Sequence, residues 1–353
     1  MNYIARPRIH QRILVEDIVK GNRRALAKAV TLAESTNSSD STRLSHLLRD
    51  IHQSAKVRMV PRFAMSGSPG AGKSSLLETL GYYLCEKKGL RVGVLAVDPS
   101  STITHGSILG DKTRMEKLST HANSYIRPSP SGGHLGGVTA RAWEVMEIFE
   151  AASFDVVFVE TVGVGQSETQ CKDLTDMMML LVPPASGDEL QGIKKGIVEV
   201  ADMVVVTKND GARKLLAQQT KGAYARAVMY TEMEQGFEKP VIAVSAEENT
   251  NIVELWEAMM KMWNTRAQSG QIDHLRRAQS SKHFYNYFEM ELLARAKKMA
   301  SVEMLNLSHR VWDHKMTPRE AGDSLVVRTL REHLAPEKTT TAAPPPPAAS
   351  QKG

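Results

Sequence analysis

The sequence predicts an α/β fold built on a mostly parallel, doubly wound sheet, and three observations carry that prediction. At least six apolar, β-branched-rich runs alternate with helical stretches, the pattern of strands joined by helical crossovers. A glycine-rich octet, Gly67-Ser68-Pro69-Gly70-Ala71-Gly72-Lys73-Ser74, joins one of these runs to a helix. Two further runs end in carboxylates, Asp98 and Glu160, at the strand ends where open α/β sheets place ligands. A glycine, four residues and then Gly-Lys-Ser is the phosphate-binding pattern of P-loop nucleoside triphosphatases. The expected fold is therefore a P-loop core with N-terminal helices and a C-terminal helical arm.

Each element follows from local pattern. Residues 1–58 read as a helical layer: apolar positions from Ile13 onward recur at helical spacings, Gly21-Asn22 marks a break, and Ser35 to Ser41 supplies cap chemistry. Asp50-Ile51-His52 matches the start of a cobalamin-ligating Asp-x-His-x-x-Gly pattern, but position 55 is Ala, so the pair reads as an ordinary helix surface. The core is expected over 59–268. Its strands are Arg62–Ser66, Arg91–Val97, Phe154–Glu160, Met177–Val182, Met203–Thr207 and Val241–Ser245, with a last helix through Ile252, Leu255 and Met259. Residues 269–334 form a charged helical arm carrying apolar positions such as Phe284, Phe288, Leu292 and Leu293. Residues 335–353, rich in Thr, Ala and Pro, read as a disordered tail.

Composition narrows the class. No uninterrupted apolar run approaches the ~18 residues of a membrane span, and two cysteines, Cys85 and Cys171, make no disulfide framework and suggest a reducing compartment. A net charge of +6 in 353 residues without basic-aromatic interleaving predicts neither a nucleic-acid nor a membrane partner. Arg6, Arg8 and Arg12 precede the first acid, Glu16, which faintly resembles a mitochondrial leader without its serine-rich length. The expected location is the mitochondrial matrix for a eukaryotic chain and the cytoplasm for a bacterial one.

Phosphoryl transfer needs a phosphate cradle, a metal held by oxygens and recognition of the base. The cradle is Gly67, Ser68, Pro69, Gly70, Ala71, Gly72, Lys73, Ser74 and Ser75: glycines let the backbone approach oxygens, and amides point inward beside a helix N-terminus. Lys73 places a cation on the β- and γ-phosphates. Ser74, Asp98, Asp111 and Glu160 are the candidate Mg²⁺ ligands, hard oxygens of the kind that ion takes. Lys73, Asp98 and Glu160 are the candidate catalytic residues. Gly163, three residues past Glu160, offers an amide to the γ-phosphate. Thr207-Lys208-Asn209-Asp210 is similar to the Asn/Thr-Lys-x-Asp guanine motif, in which the carboxylate of Asp210 takes both guanine donors and the stem of Lys208 covers the ring. Adenine cannot return that pairing, so GTP is the expected nucleotide. Ser245 and Ala246 belong to the small-residue loop that closes over the base. His134, in a glycine-rich loop, reads as a surface residue. Gln166 is near the Glu160 carboxylate but is no convincing water-positioning residue.

Read together, the P-loop, Ala96-Val-Asp98-Pro-Ser-Ser, Gly110-Asp111-Lys-Thr-Arg-Met, Arg127-Pro-Ser-Pro, Glu160-Thr-Val-Gly-Val-Gly-Gln166-Ser-Glu and Gly187-Asp-Glu-Leu-Gln-Gly-Ile-Lys-Lys closely resemble the GTPase chaperones of adenosylcobalamin-dependent methylmalonyl-CoA mutase, over roughly residues 10 to 330. That family has also carried the label of a lysine/arginine/ornithine transport ATPase or kinase. The resemblance implies a homodimeric GTPase with slow basal hydrolysis accelerated by the mutase. It implies that GTP gates transfer of adenosylcobalamin from an adenosyltransferase to the mutase and protects that enzyme. The cobalamin belongs to the partner. It further implies that the loops around 98–111, 160–170 and 183–195 are switches and that the end helices are packing and dimerisation arms. Two rival readings stand beside it: an accessory GTPase for nickel, which usually carries His-rich stretches or Cys-x-x-Cys pairs that are missing here, and a non-hydrolysing nucleotide-dependent scaffold.

Overall fold

In a computed structural model, the structure describes residues 15–35, 37–54, 58–98, 115–130, 137–161, 171–185, 199–235 and 238–334. The centre is a seven-stranded sheet. Its strands are β1 (Arg62–Gly67), β2 (Val92–Asp98), β3 (Ser124–Pro130), β4 (Val156–Thr161), β5 (Met177–Val182), β6 (Met203–Val206) and β7 (Val241–Ala243), in the order β3-β2-β4-β1-β5-β6-β7. Every pairing is parallel. The seventh strand, β3, is the one the apolar pattern does not reveal. Its sequence, Ser-Tyr-Ile-Arg-Pro-Ser-Pro, contains two prolines that cannot donate to a ladder, and among the described strands it accordingly lies on an edge, paired to β2.

The helices follow from capping and from a two-residue alternation in the strands. Asn22 accepts hydrogen bonds from the amides of Arg24 (3.0 Å) and Ala25 (3.2 Å), starting α2 (Arg23–Ala33) after the short α1 (Val15–Val19). Asn37 starts α3 (Ser38–His52) in the same way. On one face of the sheet, Ala64, Leu95, Val97, Val157 and Val159 share a buried cluster with Leu26, Val30 and Leu47 of the N-terminal helices and Phe149 of α6 (Gly137–Ala151). The alternate residues Phe63, Met65, Val94 and Phe158 face α4 (Lys73–Lys88), α5 (Glu116–Thr120) and α8 (Ile252–Gln268). A third cluster joins β5 and β6 to Ala217 and Val228 of α7 (Lys214–Gln235). Burial on both faces explains why the central strands are continuous apolar runs.

The chain divides into two compact units, 1–286 and 287–353. Helix α9 (Gln271–Met299) begins in the first, where Gln279 donates to the carbonyls of Lys172 (2.8 Å) and Thr175 (2.7 Å). The second unit contains the rest of α9 with α10 (Ser301–Trp312) and α11 (Pro318–Leu334), in which Leu307 and Ala321 are buried.

Candidate nucleotide site

The phosphate loop emerges from the C-terminal end of β1, in the middle of the sheet. Gly67 is required by contact: a Cβ there would stand 2.3 Å from the Leu181 carbonyl oxygen of β5. Gly72 is required by conformation, with φ +87° at the turn into α4. The Lys73 side chain is buried and folds back under the loop, its Nζ donating to the carbonyls of Gly67 (2.7 Å) and Ser68 (3.1 Å). The ammonium is thereby held against the inner rim of the cradle.

Sheet order brings the metal candidates together. β4 lies beside β1, with Glu160 in register with Met65, so Glu160 reaches the first turn of α4 although it is 86 residues away from Ser74. Ser74 Oγ donates to Glu160 Oε1 at 2.7 Å. A hydroxyl and a carboxylate beside a phosphate cradle are donors suited to Mg²⁺, which keeps several waters and phosphate oxygens in its shell. Among the described residues no cluster of three or more His, Cys, Asp or Glu side chains could hold a metal by itself. Asp98 ends β2, and its backbone stands two register positions beyond Glu160, since Ala96 pairs with Glu160; its side chain is outside the described residues. Asp111, Gly163, His134, Gln166 and most of the three expected switch loops also lie outside them.

The base end is assembled by β6 and β7. Thr207, the residue that departs from the usual Asn, is buried, and its Oγ1 lies 2.6 Å from the Ala71 carbonyl oxygen and 3.2 Å from that of Val182. One hydroxyl therefore ties the segment after β6 to the phosphate loop. Lys208 follows at φ +53° and Asn209 donates its amide to the Val244 carbonyl (3.0 Å). Asp210 is buried at 5 % exposure; Oδ2 accepts from Ser245 Oγ (2.8 Å) and Oδ1 from Arg213 Nη2 (2.6 Å). Burial alone raises its pKa, but the hydrogen bonds from Ser245 and Arg213, with the charges of Arg213 and Lys208, outweigh that and hold it below the ordinary carboxylate value. Thr79 of α4 donates to the Ala246 carbonyl (3.0 Å), pinning the loop after β7. Between them lies a cleft of about 410 Å³ lined by Gly72, Ser75, Thr79, Lys208, Asp210 and Ala246, among others. Arg213 and Thr79 were not candidates from the sequence. An arginine three residues after a motif aspartate, or a threonine in a helix, carries no pattern of its own.

Known proteins match this arrangement. Residues 26–301 match the family model described as methylmalonyl Co-A mutase-associated GTPase MeaB. The chain is 38 % identical over 324 residues to the mitochondrial methylmalonic aciduria type A homolog of Caenorhabditis elegans, covering 89 % of this chain and 81 % of that one. It is 41 % identical over 315 residues to a probable GTPase of Mycobacterium tuberculosis, covering 87 % and 91 %. A crystal structure of a LAO/AO transport system kinase superposes with a TM-score of 0.66 at 31 % identity, covering 89 % of this chain and 95 % of that one. A P-loop core whose motifs occur in this order, matched over most of its length, places the chain in one group: it belongs to the methylmalonyl-CoA mutase-associated GTPase family.

Proposed function

We propose that the chain binds GTP in this cleft and hydrolyses it slowly. In this reading the difference between its GTP and GDP forms gates adenosylcobalamin delivery to methylmalonyl-CoA mutase and protects that enzyme. GTP hydrolysis is the family's activity. The observation that supports the site assignment is the hydrogen bond from Thr207 to Ala71, because it joins the segment of Asp210 to the loop of Lys73. Lys73 neutralises phosphate charge, and the amides of 67–75 cradle the phosphate oxygens. Ser74 and Glu160, with Asp98 and Asp111 as further carboxylates, would hold Mg²⁺, which supplies charge neutralisation between β- and γ-phosphates. Gly163 offers its amide to the γ-phosphate, and Asp210, Lys208, Ser245 and Ala246 select guanine. Hydrolysis removes the γ-phosphate that orders the switch segments, and the partner senses the change.

The family's name supports the mutase as partner; a cobalamin adenosyltransferase is proposed as the donor of the cofactor. The second unit is proposed as the homodimer arm. Exposed Phe288, Leu292, Leu293, Val302, Leu305 and Trp312 give it an apolar surface suited to a second copy of itself. Relatives include mitochondrial and bacterial proteins, which supports the matrix or the cytoplasm as the location. Among the described residues no helix is long and apolar enough to cross a membrane. The experiment is phosphate release from GTP and from ATP, with and without methylmalonyl-CoA mutase. GTP preference and acceleration by the mutase are expected. No acceleration overturns the chaperone role, and a preference for ATP overturns the assignment of the base pocket. Light scattering tests the arm: Leu293→Glu should yield monomers, and an unchanged dimer removes the arm from the interface.

A further inference from the structure

The base end contains a cation that guanine recognition does not require. Arg213 ends the single 3₁₀ turn Gly211–Arg213 directly after Asp210, and its Nη2 lies 2.6 Å from Asp210 Oδ1. The same nitrogen is 3.7 Å from Glu247 Oε2 on the loop after β7, and all three residues line the 410 Å³ cleft. The two carboxylates differ. The Asp210 side chain is 7 % exposed and has its other oxygen on Ser245, whereas Glu247 is 78 % exposed. Arg213, at 49 %, reaches from solvent into the pocket.

We propose that Arg213 is a latch on the base pocket: it occupies the Asp210 oxygen that a guanine edge needs, and guanine enters by displacing the guanidinium towards Glu247. This rests on the reading of Asp210 as the guanine acceptor. Guanine presents two donors, its N1–H and its 2-amino group, so it needs both carboxylate oxygens. On Oδ2 it meets a neutral hydroxyl, which can share the oxygen or turn away. On Oδ1 it meets a charge-assisted bond from a guanidinium that lines the same cleft and competes for that oxygen and for the space beside it. The exchange is feasible because the guanidinium is half in water and has a second carboxylate within ion-pair range, and partly exposed ion pairs contribute little. Closed latches lower the apparent nucleotide affinity by the fraction of pockets left open. Arg213 thus tunes affinity without touching the phosphates.

The test is binding of fluorescent GDP to the full chain, wild type and Arg213→Ala, with pyrophosphate as a competitor that has no base. Arg213→Ala is expected to tighten GDP about two- to fivefold, as for removal of a weak competing pair. Pyrophosphate affinity should not rise. Unchanged or weaker GDP binding overturns the latch, the latter by making Arg213 a clamp on the bound base. An equal gain for GDP and pyrophosphate also overturns it, since that is a general electrostatic effect. Asp210→Asn with xanthosine diphosphate separates the two levels. If that variant does not shift preference from GDP to xanthosine diphosphate, the guanine reading fails. If it does shift while Arg213→Ala fails to tighten GDP, only the latch fails.

Discussion

The two ends of the sheet use charge in opposite ways. At the N-terminal ends of β1 and β5, the fully buried Asp176 accepts from Arg276 Nε and Nη2 (both 2.7 Å), Trp263 Nε1 (2.9 Å) and the Arg62 amide (3.0 Å). Glu150 beside it takes Arg62 Nε (2.9 Å) and Arg276 Nη1 (2.8 Å). Burial lowers the Arg276 pKa, yet Asp176 and Glu150 more than reverse that and raise it. At the C-terminal ends the charged groups have carbonyls, hydroxyls or a half-exposed guanidinium among their partners. Lys73 lies on two carbonyls, Glu160 on a hydroxyl, and Asp210 on a hydroxyl and a half-exposed guanidinium. One end is a buried ionic network, with only Arg62 Nη1 lacking a hydrogen bond among its described side-chain nitrogens and oxygens, that fastens the start of α9 to the core. In the proposed reading, phosphate, metal or base competes with the partners at the other end. The two ends thus use the same residue types, and differ in whether a charge meets buried opposite charge or has neutral and half-exposed groups among its partners.

Substitutions at each end test that contrast. Asp176→Ala strands Arg276 among buried groups, and a loss of about 3–5 kcal/mol in urea unfolding is expected; a loss below about 1 kcal/mol breaks the comparison. Lys73→Ala should do the reverse, lowering GTP turnover at least about a hundredfold, the scale of one lost charge-stabilising donor, without lowering the unfolding midpoint. Turnover near the wild-type rate removes Lys73 from the chemistry. Asp210→Asn is expected to weaken GTP binding by about 2 kcal/mol and to favour xanthosine triphosphate; unaltered base preference moves recognition elsewhere. Thr207→Val should weaken nucleotide binding by about 1 kcal/mol, with Thr207→Ser close to wild type. Equal behaviour of the Val and Ser variants shows that the tether to Ala71 is immaterial.

The smallest effect concerns a carboxylate on α6, between the two ends. Burial, then the charge of Glu147, push Glu144 up to about 7 from 4.5, against a weaker pull from Arg141. A raised acid pKa means that the folded state binds the proton more tightly than the unfolded one. Stability contributed by this group is therefore present below pH 4.5, falls as pH rises to about 7, and is flat above. Glu144→Gln should match wild type at pH 4 and exceed it at pH 7.5 in thermal melts. A constant difference across that range places the shift elsewhere.

Much of this was legible in the chain. The octet 67–74, the apolar central strands and the Lys208–Asp210 segment are read from local pattern, because glycine dihedrals, two-face burial and short motifs act over a few residues. β3 was not legible, because an edge strand needs only one paired side and tolerates the prolines that argue against a strand. Thr207 read only as a departure from a motif; its bond to Ala71 requires β6 and the phosphate loop to be neighbours. Arg213 was invisible because its meaning lies in what it touches.

By itself, then, the sequence determined where backbone could turn tightly, which runs had to be buried on both faces, and which oxygens and cations were available for nucleotide chemistry. Only the tertiary structure decided that the fourth strand inserts between the second and the first, which brings Glu160 to Ser74, and that β6 and β7 bring Ser245 to Asp210. The reason is range. Conformational preference and motif chemistry are set by neighbours along the chain, whereas strand order is chosen by how whole apolar faces, remote in sequence, pack against one another.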